Sequence, residues 1–111
     1  MKLSDLKKQL NILAEITENR EKVETEKLYG HTLTIDEYVI VRESDGTFYA
    51  VAHAKELPNN FHFCGSIESE ILAMIDADDE LKAEFKQTGV RLKFEMAKSK
   101  NNRNYTKVTM L

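Results

Sequence analysis

Six cations and one tyrosine crowd the last two dozen residues of an otherwise acidic chain. From Gly89 to Leu111 the charged groups are Arg91, Lys93, Lys98, Lys100, Arg103 and Lys107 against Glu95 alone, a local charge of +5 in a 111-residue chain of net charge −3. Cations clustered on one finger attract polyanions even when the mean charge forbids it. Spread along a β-ribbon with Tyr105 among them, they suit a single-stranded nucleic acid. Lysine and arginine neutralise phosphates while the ring stacks a base, worth about 1–3 kcal/mol per base. Arg91, Lys93, Lys98, Lys100, Arg103, Tyr105 and Lys107 are therefore the predicted nucleic-acid contacts. The same charges would also keep a solvated edge hairpin soluble.

The stretch before it has the opposite sign, with seven carboxylates and two lysines between Ser66 and Lys86. Asp76, Asp78, Asp79, Glu80 and Glu84 invite a calcium reading. Counted from Asp76, however, the sixth position is Leu81 and the twelfth Gln87, where a calcium loop needs glycine and glutamate. A carboxylate-rich helix cap or kink fits better. As a surface, these five residues could instead compete with nucleic acid for a cationic groove on a partner protein. His62 and Cys64 stand two apart on a predicted strand and so point to one side, with His53 as the remaining candidate neighbour. Tetrahedral zinc asks for three or four donors, and the sequence does not assemble them, so no metal and no cofactor are expected. Cys64 is the only cysteine, which excludes an internal disulfide. The four glycines are scattered and form no phosphate loop. No set of nucleophile, base and oxyanion donor can be drawn up. No catalytic residue is predicted, and the expectation is a protein that is not an enzyme.

The elements that must position these groups follow from periodicity. Leu3, Leu6, Leu10, Leu13 and Ile16 recur at three- and four-residue spacing, which predicts a helix over about 4–19 that starts at Ser4-Asp5. It leads into a charged connector ending at Tyr29-Gly30. From Leu33 the period becomes two, with Leu33, Ile35, Val39 and Val41 on one face, Thr34, Asp36, Tyr38 and Arg42 on the other, and Glu37 out of pattern. Asp45-Gly46 signals a hairpin, Thr47–His53 returns, and Phe61–Cys64 is a short aromatic strand. Ser66 is read as the cap of a long helix that kinks or restarts over 76–79 and stops at Thr88-Gly89. Val90, Leu92, Phe94 and Met96 alternate with charged residues, and Thr106, Val108 and Met110 return in register. If Tyr38 and Tyr49 point outwards beside Tyr105, the three rings make a stacking platform.

This order predicts an α+β protein: a mostly antiparallel five-stranded OB-like barrel or open sheet (β-β-β-α-β-β) with an extra N-terminal helix. Residues 1–28 form the helix and connector, and 29–111 a single β-rich domain. An apolar content of 41% suffices for one modest core. No run approaches the roughly 18 apolar residues of a membrane span. The expected setting is therefore the cytoplasm, with no membrane partner. Self-association through an edge strand is compatible with this layout. The leucine stripe of the first helix would pack on the sheet or dock on a partner or a second copy.

Three stretches carry a likeness: Gly30–Tyr38, the turn Phe61-His62-Phe63-Cys64-Gly65-Ser66, and the closing Lys98-Ser99-Lys100-Asn101-Asn102-Arg103-Asn104-Tyr105-Thr106. With an F-x-F-x-G turn before a helix and a K-S-K-x-x-R-x-Y hairpin at the end, residues 30–111 resemble small accessory proteins of bacterial phages and mobile elements. The resemblance implies a role around DNA replication, transfer or host–phage conflict, and no catalytic residue. Two functions are expected. One is binding of single-stranded nucleic acid through the basic hairpin. The other is a protein–protein interaction with a host or element protein, such as antagonism of a host defence or nuclease in the anti-CRISPR manner, without nucleic-acid binding.

Overall fold

The apolar triplet Val39-Ile40-Val41 and the run Ala50-Val51-Ala52 are buried at every position, which in a strand means cover on both faces. A computed structural model, which describes residues 2–111, shows what provides it. The elements are α1 (Leu3–Thr17), β1 (Glu21–Lys22), a single 3-10 turn (Thr25–Leu28), β2 (Thr32–Arg42), β3 (Phe48–Ala54), β4 (Asn60–Phe63), α2 (Ser66–Asp76), α3 (Asp79–Thr88), β5 (Val90–Lys98) and β6 (Asn104–Met110). The strands form one sheet in the order β1-β4-β3-β2-β5-β6. All pairs are antiparallel except β1 with β4. Helices α2 and α3 cover one face over Leu33, Ile35, Ile40, Ala50, Ala52, Leu92 and Phe94. Helix α1 covers the other, setting Ile12, Leu13 and Ile16 on Val39, Val41 and Val51. Among the described residues, no helix is long and apolar enough to cross a membrane.

The α+β class and the mostly antiparallel sheet match the sequence expectation, with two changes. The described residues form six strands, because Glu21 and Lys22 in the charged connector pair with Asn60 and Phe61. The sheet also ends at β1 and β6 without joining them, so the pairing that would close a barrel is absent. The long helix restarts at Asp78, whose carboxylate accepts the Glu80 and Leu81 N–H groups at 2.9 and 3.0 Å. The Ser66 cap is corrected. Gly65 holds that position without a side-chain bond, and Ser66 begins α2. The leucine stripe is corrected too, since Leu3, Leu6 and Leu10 are exposed. Leu13 and Ile16 of that stripe do pack on the sheet, with Ile12 beside them.

The alternation proposed for β2 also changes, for a physical reason. A β-bulge between Ile35 and Glu37 interrupts the register with β3. One extra residue exchanges the two faces from there on. Leu33 and Ile35 therefore share a face with Tyr38 and Ile40, while Val39 and Val41 face α1.

Beside the bulge, Glu56 fastens the start of β2. Partial burial pushes its carboxyl up, but the Thr34 N–H at 2.7 Å, the Thr34 hydroxyl at 2.9 Å and the charge of Arg91 outweigh this and leave it below the usual range. A carboxyl lowered in the folded state adds stability above its unfolded value, and this is lost as pH falls through the folded one. Replacing Glu56→Gln is therefore expected to reduce stability near neutrality. The gap to the parent should narrow as pH drops through the carboxylate range, as urea unfolding at a series of pH values would show. A gap independent of pH would contradict the assignment.

Candidate functional site

A long stretch of unpaired sheet edge lies in the middle of the molecule, not at its rim. β5 pairs with β2 only from Thr32 to Ile35, whereas β3 continues along β2 to Arg42. On the β5 side, residues 36–42 have no strand beside them, an edge of roughly 20 Å at about 3.3 Å per residue. The two causes sit together. At Ile35 the bulge begins, and opposite it the chain leaves the sheet through Gly89, at φ 68°. A Cβ at Gly89 would lie 2.5 Å from the Ile35 carbonyl oxygen, so only glycine lets α3 turn into β5 here.

Hydrogen-bond alternation settles which groups face the gap. Glu43 N–H bonds Thr47 O at 2.9 Å, so the pairs two and four residues back, Val41–Tyr49 and Val39–Val51, also exchange bonds with β3. The peptide groups of Tyr38, Ile40 and Arg42 therefore point the other way. On β3 the pattern agrees, since Ala50 turns from β2 to accept Cys64 N–H and to donate to Ser69 Oγ. At the far end of the edge, Arg42 N–H is met by Gln9 Oε1 of α1 at 3.2 Å. No strand meets Tyr38 or Ile40.

The edge is the floor of a groove of about 750 Å³. One wall is α1, through Lys8, Gln9, Ile12 and Ile16, and the other is α3, through Lys82, Phe85 and Lys86. Tyr38 stands on the α3 side with its ring edge-on to Phe85 at 4.9 Å. Its hydroxyl donates to Asp76 at 2.9 Å, and Lys82 lies 3.4 Å from the same carboxylate. Burial, followed by the Asp76 hydrogen bond and charge, pushes the Tyr38 hydroxyl far above its ordinary value, so it remains a donor. One end of the groove carries Asp36 and Glu37. His53 Nδ1 is 2.6 Å from Asp36 and 3.1 Å from Glu37, its Nε2 is 3.1 Å from Pro58 O, and Arg20 reaches Glu37 at 2.9 Å. Acceptor oxygens therefore face both ring nitrogens of His53. These three donors lie close enough to hold a metal ion, but the Arg20 guanidinium already occupies Glu37 and opposes a further cation.

The sequence-predicted sites fall elsewhere. In the hairpin, Arg91, Lys93, Tyr105 and Lys107 share one face by register, as expected, but Glu95 lies directly across from Lys107 and 3.9 Å from Lys93. Lys98 ends β5 on the opposite face, beside Asn104, and Lys100 and Arg103 are exposed in the turn. Tyr38 and Tyr49 do not join Tyr105. The first lines the groove and the second lies near Phe63, 5.9 Å between ring centres, so no three-ring platform exists. Of the acidic set, Asp76 is held by Tyr38 and Lys82, and Asp78 caps α3. Asp79, Glu80 and Glu84 stand exposed on α3.

His62 and Cys64 do meet, and Glu68 of α2 joins them. His62 Nε2 and Glu68 Oε2 are hydrogen-bonded at 2.7 Å, and all three residues are buried. His53, the third member considered from sequence, lies across the sheet. Val51 and His53 face α1, whereas Ala52, paired with His62, faces α2. Burial, with the Glu68 carboxylate beside it, raises the Cys64 thiol well above its ordinary value, which makes it a poor nucleophile. The sequence did carry a sign of Glu68: it lies four residues before Leu72 and seven before Ile75, on the buried stripe of α2. No family model, curated protein or solved structure matches this chain.

Proposed function

We propose that this protein is a protein–protein interaction module that takes an extended peptide segment of a partner onto the open edge of β2. The observation that carries the reading is the pair of strand-directed peptide groups, at Tyr38 and Ile40, at the bottom of a walled groove. An extended chain satisfies such groups by strand addition. Main-chain bonds then supply affinity, and alternate side chains read the walls. The half-buried Ile12 on one side and the half-buried ring of Tyr38 on the other offer places for those side chains. Lysines and carboxylates along the rims suit a segment of mixed charge. A single strand fits, whereas a second copy does not. Its β2 edge is recessed between the same two helices, and bringing two such edges to the 4.8 Å of a ladder would drive helix into helix.

Selection from a displayed library of random dodecapeptides, followed by N-methylation of each position of a selected peptide in turn, tests the reading. Methyl groups on alternate residues, those whose N–H meets β2, should weaken binding tenfold or more. The intervening positions should tolerate them. A uniform response along the peptide, or no selected peptide at all, would reject it.

A second reading keeps the hairpin as a contact for single-stranded nucleic acid, favoured by the exposure of Lys98, Lys100, Arg103, Tyr105 and Lys107. Its mark is oligonucleotide binding, measured by fluorescence anisotropy, that falls steeply with salt. Absence of binding at low salt removes it.

A further inference from the structure

We infer that His62, Cys64 and Glu68 form a binding site for Zn²⁺. The three come from one short stretch of chain: His62 from the end of β4, Cys64 from the link to α2 and Glu68 from the first turn of α2. They are 2%, 8% and 2% exposed in a largely apolar core. One donor atom from each, an imidazole nitrogen, the thiol sulfur and a carboxylate oxygen, lies within 4.8 Å of the other two. Imidazole, thiolate and carboxylate are the donor types of zinc sites, and thiolate with imidazole selects against magnesium and calcium.

Distances and charge both favour the ion. Bonds of about 2.0 Å to nitrogen and oxygen and about 2.3 Å to sulfur, at tetrahedral angles, require donor separations of roughly 3.3–3.6 Å. His62 Nε2 and Glu68 Oε2, now 2.7 Å apart, would separate by about half an ångström, and the sulfur already lies within 4.8 Å of both. Without metal, the Glu68 carboxylate leans on two protons, one on Nε2 and one on the thiol. On binding, Nε2 and Sγ give their lone pairs to the ion. The thiol proton leaves to solvent and the Nε2 proton passes to Nδ1. Written for the neutral ring, a buried net charge of minus one becomes zero, which lowers the cost of keeping charge in the core. Three protein donors leave a fourth position for water or another ligand. Gly65 and Ser66, exposed beside Cys64, give the ion its way in. The bound ion would tie the end of β4 to the start of α2.

The test is titration of Co²⁺, as a spectroscopic stand-in, into the reduced, chelator-washed full chain. The expected result is one equivalent bound, with an intense thiolate-to-cobalt charge-transfer band that Zn²⁺ displaces. About one proton should be released per ion, and Zn²⁺ should raise the melting temperature. Cys64→Ala should abolish the band, and Glu68→Gln and His62→Gln should each weaken binding tenfold or more. Circular dichroism confirms that each variant is folded. Because a variant can fail to fold, the parent protein supplies a second readout: Zn²⁺ should slow alkylation of Cys64 by iodoacetamide. Absence of the charge-transfer band in the folded parent would overturn the assignment. So would a band of undiminished affinity in either folded donor variant.

Discussion

In hydrogen exchange of the free protein, the amides of Tyr38 and Ile40 should exchange about a thousandfold faster than those of Val39 and Val41, or more. The four residues are consecutive in one strand, so sequence position and general mobility cannot separate them. Val39 and Val41 donate into the β2–β3 ladder, which opens only when the middle of the sheet opens. Opening free energies there approach the global value, about 5–15 kcal/mol for a domain. Tyr38 and Ile40 face the groove, where no strand bonds them. Residue-resolved exchange by NMR reads the contrast directly. Equal protection of all four would mean that the edge is closed, and the groove would lose its role.

Gly89→Ala should lower stability by on the order of 3 kcal/mol. Gly89 has φ 68° and ψ −168°, a region open almost only to glycine and worth about 1–3 kcal/mol of strain for any other residue. The added methyl would also meet the Ile35 carbonyl oxygen at 2.5 Å and Thr34 Cγ2 at 3.2 Å. The backbone oxygen cannot step aside without disturbing the bulge, so the cost reaches the site. Urea unfolding measures the loss, and a change below about 1 kcal/mol would show that the α3–β5 junction adapts. Gly46, at φ 91° in the β2–β3 hairpin with nothing near its Cβ position, should be the milder of the two.

Local patterning was sufficient for the C-terminal hairpin. Leu92, Phe94 and Met96 face Met110, Val108 and Thr106 across β5 and β6, as period-two alternation requires. It was sufficient as well for the stop at Gly89 and the restart at Asp78. The groove was harder to read because it is made by an absence of pairing. Where β5 leaves β2 depends on a bulge and on a backbone contact between Gly89 and Ile35, which are 54 residues apart. Neither residue announces the other. A partial signal existed in Val39-Ile40-Val41. Three buried apolar residues in succession require cover on both faces, and only α1 remained to supply the second. Glu37, the residue that broke the alternation, marks the bulge itself. The charge segregation of the sequence is real along the chain. In three dimensions Glu95 lies between Lys93 and Lys107, and two of the five acidic candidates are committed to holding Tyr38 and capping α3. The positive surface left over is therefore smaller than the count of cations implied.

Residue-resolved amide exchange on the complex with a library-selected peptide tests strand capture most directly. Addition of a strand predicts that the Tyr38 and Ile40 amides fall to the slow rates of Val39 and Val41, while the Arg42 amide, already met by Gln9, changes less. A peptide that binds tightly yet leaves Tyr38 and Ile40 exchanging as fast as in the free protein would contradict it.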